Sequence, residues 1–384
     1  MTRLRSVFWR VVALAILAAG AYGTWVRFTR GLGAATNLSD AYPWGLWIGF
    51  DILCGVGLAA GGFAITTAVY ILRVERLRPI VRPAILTAFL GYLLVILALV
   101  FDLGRPWNIW RAVVLWNPRS VMFEVAWCVM LYTTVLALEF SPVLFERLGW
   151  RRAVKVVKAV VAPLVGVGFL VSTLHQSSLG SLYLILPTKL HPLWYSPLLP
   201  IFFWLSAVAV GLAMVIFESG MSARAFGRAL EFDLLQGISR VMVLCLGLFL
   251  FLRFWDLWWW RGALGAAFRF SGPGSFEAGM FWLETLLLAV PLVAILLDRV
   301  RANPQGLFAA SVMVVAGFLV NRLNVSTTGL EASSGVRYFP SWIEISVTLS
   351  IVTLGLALFS LAIRHLPIFH PMKPQIAYDT RDGV

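Results

Sequence analysis

Apolar stretches about as long as a bilayer is thick recur along the whole 384-residue chain, separated by short connections that are basic or rich in Trp, Pro and Gly. A helix crossing the hydrocarbon layer needs roughly 20 mostly apolar residues. Ten stretches qualify: 7–26, 46–72, 83–103, 118–140, 154–175, 196–218, 234–255, 277–297, 305–322 and 342–363. The pattern predicts an all-α integral membrane protein of about ten transmembrane helices. The first stretch shares features with a signal peptide, since Arg3, Arg5 and Arg10 precede it and AAGAYG offers small residues, but it is long enough to span.

Lys and Arg sort the connections into two sides. Clusters at Arg3 to Arg10, Arg73 to Arg82, Arg147 to Lys158, Arg224 to Arg240, Arg299 with Arg301, and Arg364 to Arg381 place twenty of the 31 cations on one side. The positive-inside rule makes that side cytoplasmic, which puts both termini in the cytoplasm. Outer loops are expected at 27–45, 104–117, 176–195, 256–276 and 323–341. They are longer than the tightest inner loop, 298–304, so a docked partner is expected outside. Trp44, Trp47, Trp107, Trp110, Trp116, Trp194, Trp258, Trp259, Trp260 and Trp342 fall near the outer boundary, where amphipathic rings form an aromatic belt. The tail 367–384 reads as short and polar.

Composition narrows the chemistry. The chain is 60% hydrophobic and 13% charged, against about 25% charged in soluble domains. A net charge of +13 points to nucleic acid only when the cations cluster on a solvated domain; here they are scattered through short loops, and that reading is discarded. Cys54, Cys128 and Cys245 lie singly in apolar runs without a C-x-x-C, so neither an iron–sulfur cluster nor zinc is expected. Of His175, His191, His365 and His370, only His175 falls inside an expected span. Membrane haem ordinarily takes axial histidines from facing helices, so haem is not expected either. No phosphate-binding glycine loop or H-E-x-x-H occurs.

Ionisable groups inside lipid are expensive and mark functional sites. Glu124 follows NPRSVMF near the outer end of the fourth span, and His175 closes the fifth within STLHQSSLGS. If the chain folds back at the basic turn ERLGWRR, the two share a depth. Asp51 is expected one to two turns below the same surface. Carboxylate and imidazole together suit a polar headgroup whose protons must move, and Gln176, Ser177 and Ser178 add hydrogen-bond partners. Gly55, Gly57, Gly61 and Gly62 form a small-residue face, read first as tight helix packing and second as a slot for a flat ring at Gly61. Glu139 lies roughly 22 Å along the helix from Glu124, near the basic side. Glu218 and Glu284 are candidates for a proton relay or for structural pairing. Asp102 with Arg105, and Arg253 with Asp256, are spaced for i, i+3 pairs. Asp298, Arg322, Glu344 and Arg364 are expected to snorkel from span ends.

Several strings together, YPWGLWIGFDILCGVGLAAGGFA, NPRSVMFEVAW, LEFSPVLFERLGW, TLHQSSLGSL, KLHPLWYSPLLP and YFPSWIE, resemble the NrfD/PsrC superfamily, in particular its HybB branch, the membrane subunits of periplasm-facing NiFe uptake hydrogenases. The likeness runs over about residues 30 to 370. It implies two four-helix bundles, here 46–175 and 196–322, with flanking helices at 1–30 and 342–363. It further implies a quinone, menaquinone or ubiquinone, bound in the first bundle toward the periplasm, no redox cofactor in this chain, and a docked ferredoxin-like iron–sulfur subunit. Positions matching Glu124, His175 and Glu218 are implied in quinone binding and proton transfer.

Residues and resemblance together lead to the expectation of a quinone-reactive subunit of a respiratory oxidoreductase. In it, His175, Asp51, Gln176 and Gly61 hold the headgroup and Glu124 exchanges protons. Glu139, Glu218 and Glu284 offer routes toward the cytoplasm, with proton translocation as an added expectation. Alternatives are the membrane anchor of a molybdopterin polysulfide reductase, a secondary transporter, which matched broken helices would favour, and a purely structural anchor.

Overall fold

The computed structural model describes residues 2–227, 230–260 and 276–369, and among these the chain is helical throughout, with one isolated bridge between Ser39 and Tyr42. Nine helices are long and apolar enough to cross a membrane, and a bent pair makes a tenth. In chain order the spans are Thr2–Arg30, Trp47–Tyr70, Arg78–Asp102, Val121–Leu148, the bent Arg151–Ala159 with Val161–Leu184, Leu199–Phe226, Phe232–Trp255, Phe276–Leu296, Pro304–Leu323 and Trp342–His365. All ten expected stretches are helices. Residues 370–384 of the expected tail, 261–275 of the expected fifth outer loop, and the side chains of Trp259 and Trp260 lie outside the described residues.

Span 5 was expected to end at His175 and instead runs on to Leu184. Polar Ser residues read as a loop in sequence, because their hydroxyls compete for backbone groups. Here they bond back within the helix: Ser177 to the Thr173 carbonyl at 3.0 Å, Ser178 to Leu174 at 2.7 Å and Ser181 to Ser177 at 3.2 Å. Span 4 likewise begins later and ends later than expected. Ser120 caps it by accepting the Phe123 N–H, so Glu124 sits in its first turn rather than two turns deep. Span 9 continues past Leu323 through a π-helical stretch, Asn324–Thr328, into Gly329–Ser334.

Spans 2, 3, 4 and 5 are mutual neighbours, spans 6, 7, 8 and 9 are another set, and span 1 lies against span 10. The two sets meet where span 6 packs on spans 2 and 5. Lipid provides no hydrophobic drive between helices, so close backbone approach and internal polar bonds must hold them. At the crossing a Cβ built on Gly61 would stand 2.6 Å from the Gly211 carbonyl oxygen. On the basic side Glu146 accepts from Arg82 at 2.7 Å and Lys158 at 3.0 Å, tying spans 3 and 4 to the short lead-in helix of span 5. At the other side Arg27 donates to the Phe101 and Leu103 carbonyls, at 2.6 and 2.5 Å. It thereby satisfies carbonyls left open where span 3 ends. Asp102 therefore has Arg27 beside it, in place of the expected Arg105.

Gly61→Ala puts a methyl group against backbone that cannot rotate away. It is expected to lower stability by about 1–3 kcal/mol, the usual cost of overpacking. Gly166→Ala, where an added Cβ meets nothing within 4 Å, is expected to leave the melting temperature in detergent unchanged.

Candidate functional site

The core of the first four-span set holds a cluster of polar groups. His175 is fully buried, and its Nδ1 lies 3.1 Å from the Tyr92 hydroxyl. Tyr92 in turn packs edge-on against Tyr132, with ring centroids 4.7 Å apart. His175 Nε2 is buried with no hydrogen-bond partner among the described residues, while Ser172 lies within hydrogen-bonding reach of Tyr92 and Tyr132. Buried polar groups are almost always satisfied, so the unspent ring nitrogen marks a place built for something polar. Tyr92 and Tyr132 were missed in the sequence, where the only available signal is a single hydroxyl in an otherwise apolar run.

Glu124 belongs to the same cluster. Its Oε1 is 2.6 Å from Ser178 Oγ, and Ser178 is one turn from His175 on span 5. Ser178 Oγ also lies 2.7 Å from the Leu174 carbonyl. A hydroxyl has one proton to give. When Ser178 gives it to Leu174, the short contact to Glu124 requires a protonated carboxyl as donor. When Ser178 gives it to Glu124, the carboxylate is the acceptor. The geometry therefore accommodates both protonation states of Glu124. Glu124 is partly exposed, whereas His175, one turn along span 5 from its partner Ser178, is fully buried.

The other expected site residues are distributed differently. Asp51 is buried and accepts from Thr348 of span 10 at 2.6 Å, which turns it toward the flanking helix rather than toward His175. Gln176 donates to the Val56 carbonyl at 3.1 Å. That carbonyl is released because the Ala60 N–H bonds Gly57 instead, so Gln176 repairs a break in span 2. Gly61 is consumed by the crossing with Gly211. Glu139 is buried and makes no side-chain hydrogen bond or ion pair among the described residues. It lies beside Gly168, two turns from His175 on span 5. Glu218 accepts from Thr87 at 2.5 Å and so links span 6 to span 3.

Glu284 is the hub of the second set. It is wholly buried and accepts from Arg253, from Trp194 Nε1 at 3.1 Å, and from the side-chain amides of Asn321 at 2.7 Å and Asn324 at 2.8 Å. Arg253, spaced for pairing with Asp256, thus reaches across to span 8. Arg322 and Glu344 do not snorkel; each is 1% exposed. Arg322 is held by Asn321, Ser206 and the Phe203 carbonyl, with its guanidinium 3.7 Å from the Phe203 ring centroid. Glu344 accepts the backbone N–H groups of Asn37 and Ser341 and the hydroxyl of Tyr338. Trp47 and Trp194, assigned to the belt, are buried, whereas Trp107, Trp110, Trp116, Trp258 and Trp342 are exposed. The signal available for the hub was Glu284 itself, together with the polar run Asn321, Arg322 and Asn324 in an apolar span.

Histidine placement bears on metal chemistry. His191 sits in the loop before span 6, where burial lowers its pKa, opposed by nearby Glu277, and its Nδ1 accepts the Leu193 N–H at 3.2 Å. His365 is exposed at the end of span 10. His175 itself lies in span 5. Among the described residues no group of three or more His, Cys, Asp or Glu side chains converges as a metal site.

Ten helical crossings with a buried polar cluster define a multi-pass, all-helical integral membrane protein. Residues 34–332 match the family described as polysulphide reductase, NrfD, and the chain belongs to that family. It is 37% identical to the probable Ni/Fe-hydrogenase 2 b-type cytochrome subunit of Escherichia coli, over 90% of this chain and 88% of that one. It is 29% identical to the menaquinone reductase integral membrane subunit of Nitratidesulfovibrio vulgaris, over 94% and 92%. It is 23% identical to the Hdr-like menaquinol oxidoreductase integral membrane subunit of Archaeoglobus fulgidus, over 80% and 74%.

Removing one partner of a buried ion pair leaves the other charge uncompensated, at about 3–5 kcal/mol. Glu284→Gln is expected to lower the melting temperature sharply, whereas an exposed acid such as Asp298→Asn should change it little. Thermal melting followed by tryptophan fluorescence reads both.

Proposed function

We propose that this chain is the quinone-reactive membrane subunit of a respiratory oxidoreductase complex. In this reading it exchanges electrons with an iron–sulfur subunit docked on the extracytoplasmic side, which belongs to a NiFe hydrogenase. The observation that carries it is the buried imidazole of His175 with Nε2 unpartnered, one helical turn from Ser178, whose hydroxyl meets the Glu124 carboxyl. With Tyr92 donating to Nδ1, Nε2 carries the ring proton and can donate to a quinone carbonyl oxygen. Converting a quinone to a quinol consumes two electrons, which the partner supplies, and two protons. Glu124 would deliver one through the contact it shares with Ser178. Menaquinone is the first candidate, since two relatives are named for menaquinone chemistry. The hydrogenase partner rests on the 37% identity to a hydrogenase 2 subunit. A sulfur-compound reductase partner is the second reading, favoured by the family's description.

Asp51, Gln176 and Gly61, committed by bonds or packing elsewhere, are then supports of the site rather than contacts of the ring. For protons from the cytoplasmic side, Glu139 and Glu218 remain the candidates, because each keeps capacity for a new partner. Glu284, with four donors upon it, is read as structural.

The decisive experiment isolates the whole complex in mild detergent, identifies its subunits, and follows electron transfer to a quinone analogue and to an artificial dye. His175→Ala and Glu124→Gln are each expected to cut quinone turnover by roughly 10²–10⁴, the span for losing a positioned proton-transfer group, with dye activity intact. Unchanged quinone turnover in an assembled His175→Ala complex would rule the site out. Molybdopterin subunits in place of hydrogenase ones would assign the second reading.

Proton uptake from the cytoplasmic side, measured in proteoliposomes, is expected to fall in Glu218→Gln. Undiminished uptake would remove Glu218 from the route.

A further inference from the structure

The second four-span set encloses a cavity of about 20 Å³ beneath the loop that precedes span 6. That is room for one water-sized occupant. Apolar walls come from Leu199, Phe202 and Phe249, and the polar lining consists of Ser196, Asn321 and the guanidinium-bearing Arg253 and Arg322. Two cations therefore face one small space.

Their compensation is unequal. Arg253 is paired directly with Glu284. Arg322 is 1% exposed and has no carboxylate within ion-pair distance among the described residues; the bonds it makes go to an amide oxygen, a hydroxyl and a backbone carbonyl. The next acid along span 7, Asp256, does not line the cavity. A guanidinium has about five N–H donors, and three of those of Arg322 are used, one by Asn321 and two at the other nitrogen by Phe203 and Ser206. The hydroxyl of Ser196 accepts the Leu198 N–H at 3.0 Å, and its own proton has no acceptor among the described residues. A charged group buried in lipid needs a counter-charge or a full set of hydrogen bonds. Water in the cavity would accept from these donors but leave the charge of Arg322 uncompensated. An anion would do both.

We propose that this cavity binds one small monovalent anion, with chloride as the physiological case, held by the spare N–H groups of Arg322 and the hydroxyl of Ser196. The bound ion ties spans 6, 7 and 9 together at the outer end of the second set. This site is separate from the His175 cluster and does not depend on how that cluster functions.

The test uses the complete complex in detergent at constant ionic strength, with gluconate, which is too large to enter, exchanged for chloride or bromide. Tryptophan fluorescence is expected to show a saturable rise in melting temperature of about 3 °C at tenfold excess over the dissociation constant. Crystals soaked in bromide are expected to give an anomalous peak inside the cavity. Arg322→Gln should abolish the halide response, and Ser196→Ala should weaken it by at least half. If Arg322→Gln fails to assemble, the wild-type comparison and the bromide map decide alone. Equal melting of the wild type in chloride and gluconate, or bromide density confined to other places, would overturn the proposal in favour of an ordinary water.

Discussion

A polar group inside a bilayer has no water to turn to, and the architecture of this protein follows from where each such group finds its partner. Arg27 closes the open carbonyls at the end of span 3. Gln176 takes the carbonyl that span 2 releases where it breaks. Glu284 gathers four donors from the loop before span 6 and from spans 7 and 9. Each bond runs between elements distant in sequence, so satisfying the groups and fixing the helix arrangement are the same event.

Against that background the exceptions stand out. In the first set the imidazole of His175 keeps its Nε2 free of partners among the described residues, while in the second set Glu284 gathers Arg253, Trp194, Asn321 and Asn324 around one carboxylate. The contact between them is tight, with glycine backbone against glycine backbone at Gly61 and Gly211. It is also polar, through Glu218 and Thr87.

The irregular helical segments have a similar logic. Span 2 starts with a π-helical stretch over Trp47–Cys54, and span 9 ends with one over Asn324–Thr328. The two lie in contact. Non-ideal backbone at membrane depth is tolerated where it is buried in protein, and Ser326 and Thr327 here bond back to the Arg322 and Leu323 carbonyls. Asn321 and Arg322, in the last turn before this stretch, and Asn324 at its start are all buried.

Length and hydropathy alone determined the ten crossings, because a membrane imposes a minimum apolar run that few other structures need. Strings such as NPRSVMFEVAW and TLHQSSLGSL were enough to indicate the family. The rarity of charge in lipid likewise singled out Glu124 and His175; in the fold Glu124 meets Ser178, which lies one turn along span 5 from His175. Tertiary structure decided which face each polar residue took. Asp51 and His175 were expected at one depth, but depth does not specify azimuth, and Asp51 turns to Thr348 instead. Arg322 and Glu344 sit near span ends where snorkelling is ordinarily available; Phe203 and Ser206 of span 6 hold the first inside, and Asn37, Tyr338 and Ser341 hold the second. Tyr92 became a neighbour of His175 only through the packing of span 3 on the rest of its set. A hydrogen bond between residues 83 positions apart leaves no local mark, because the chain between them is free to fold either way until the surrounding helices are in place.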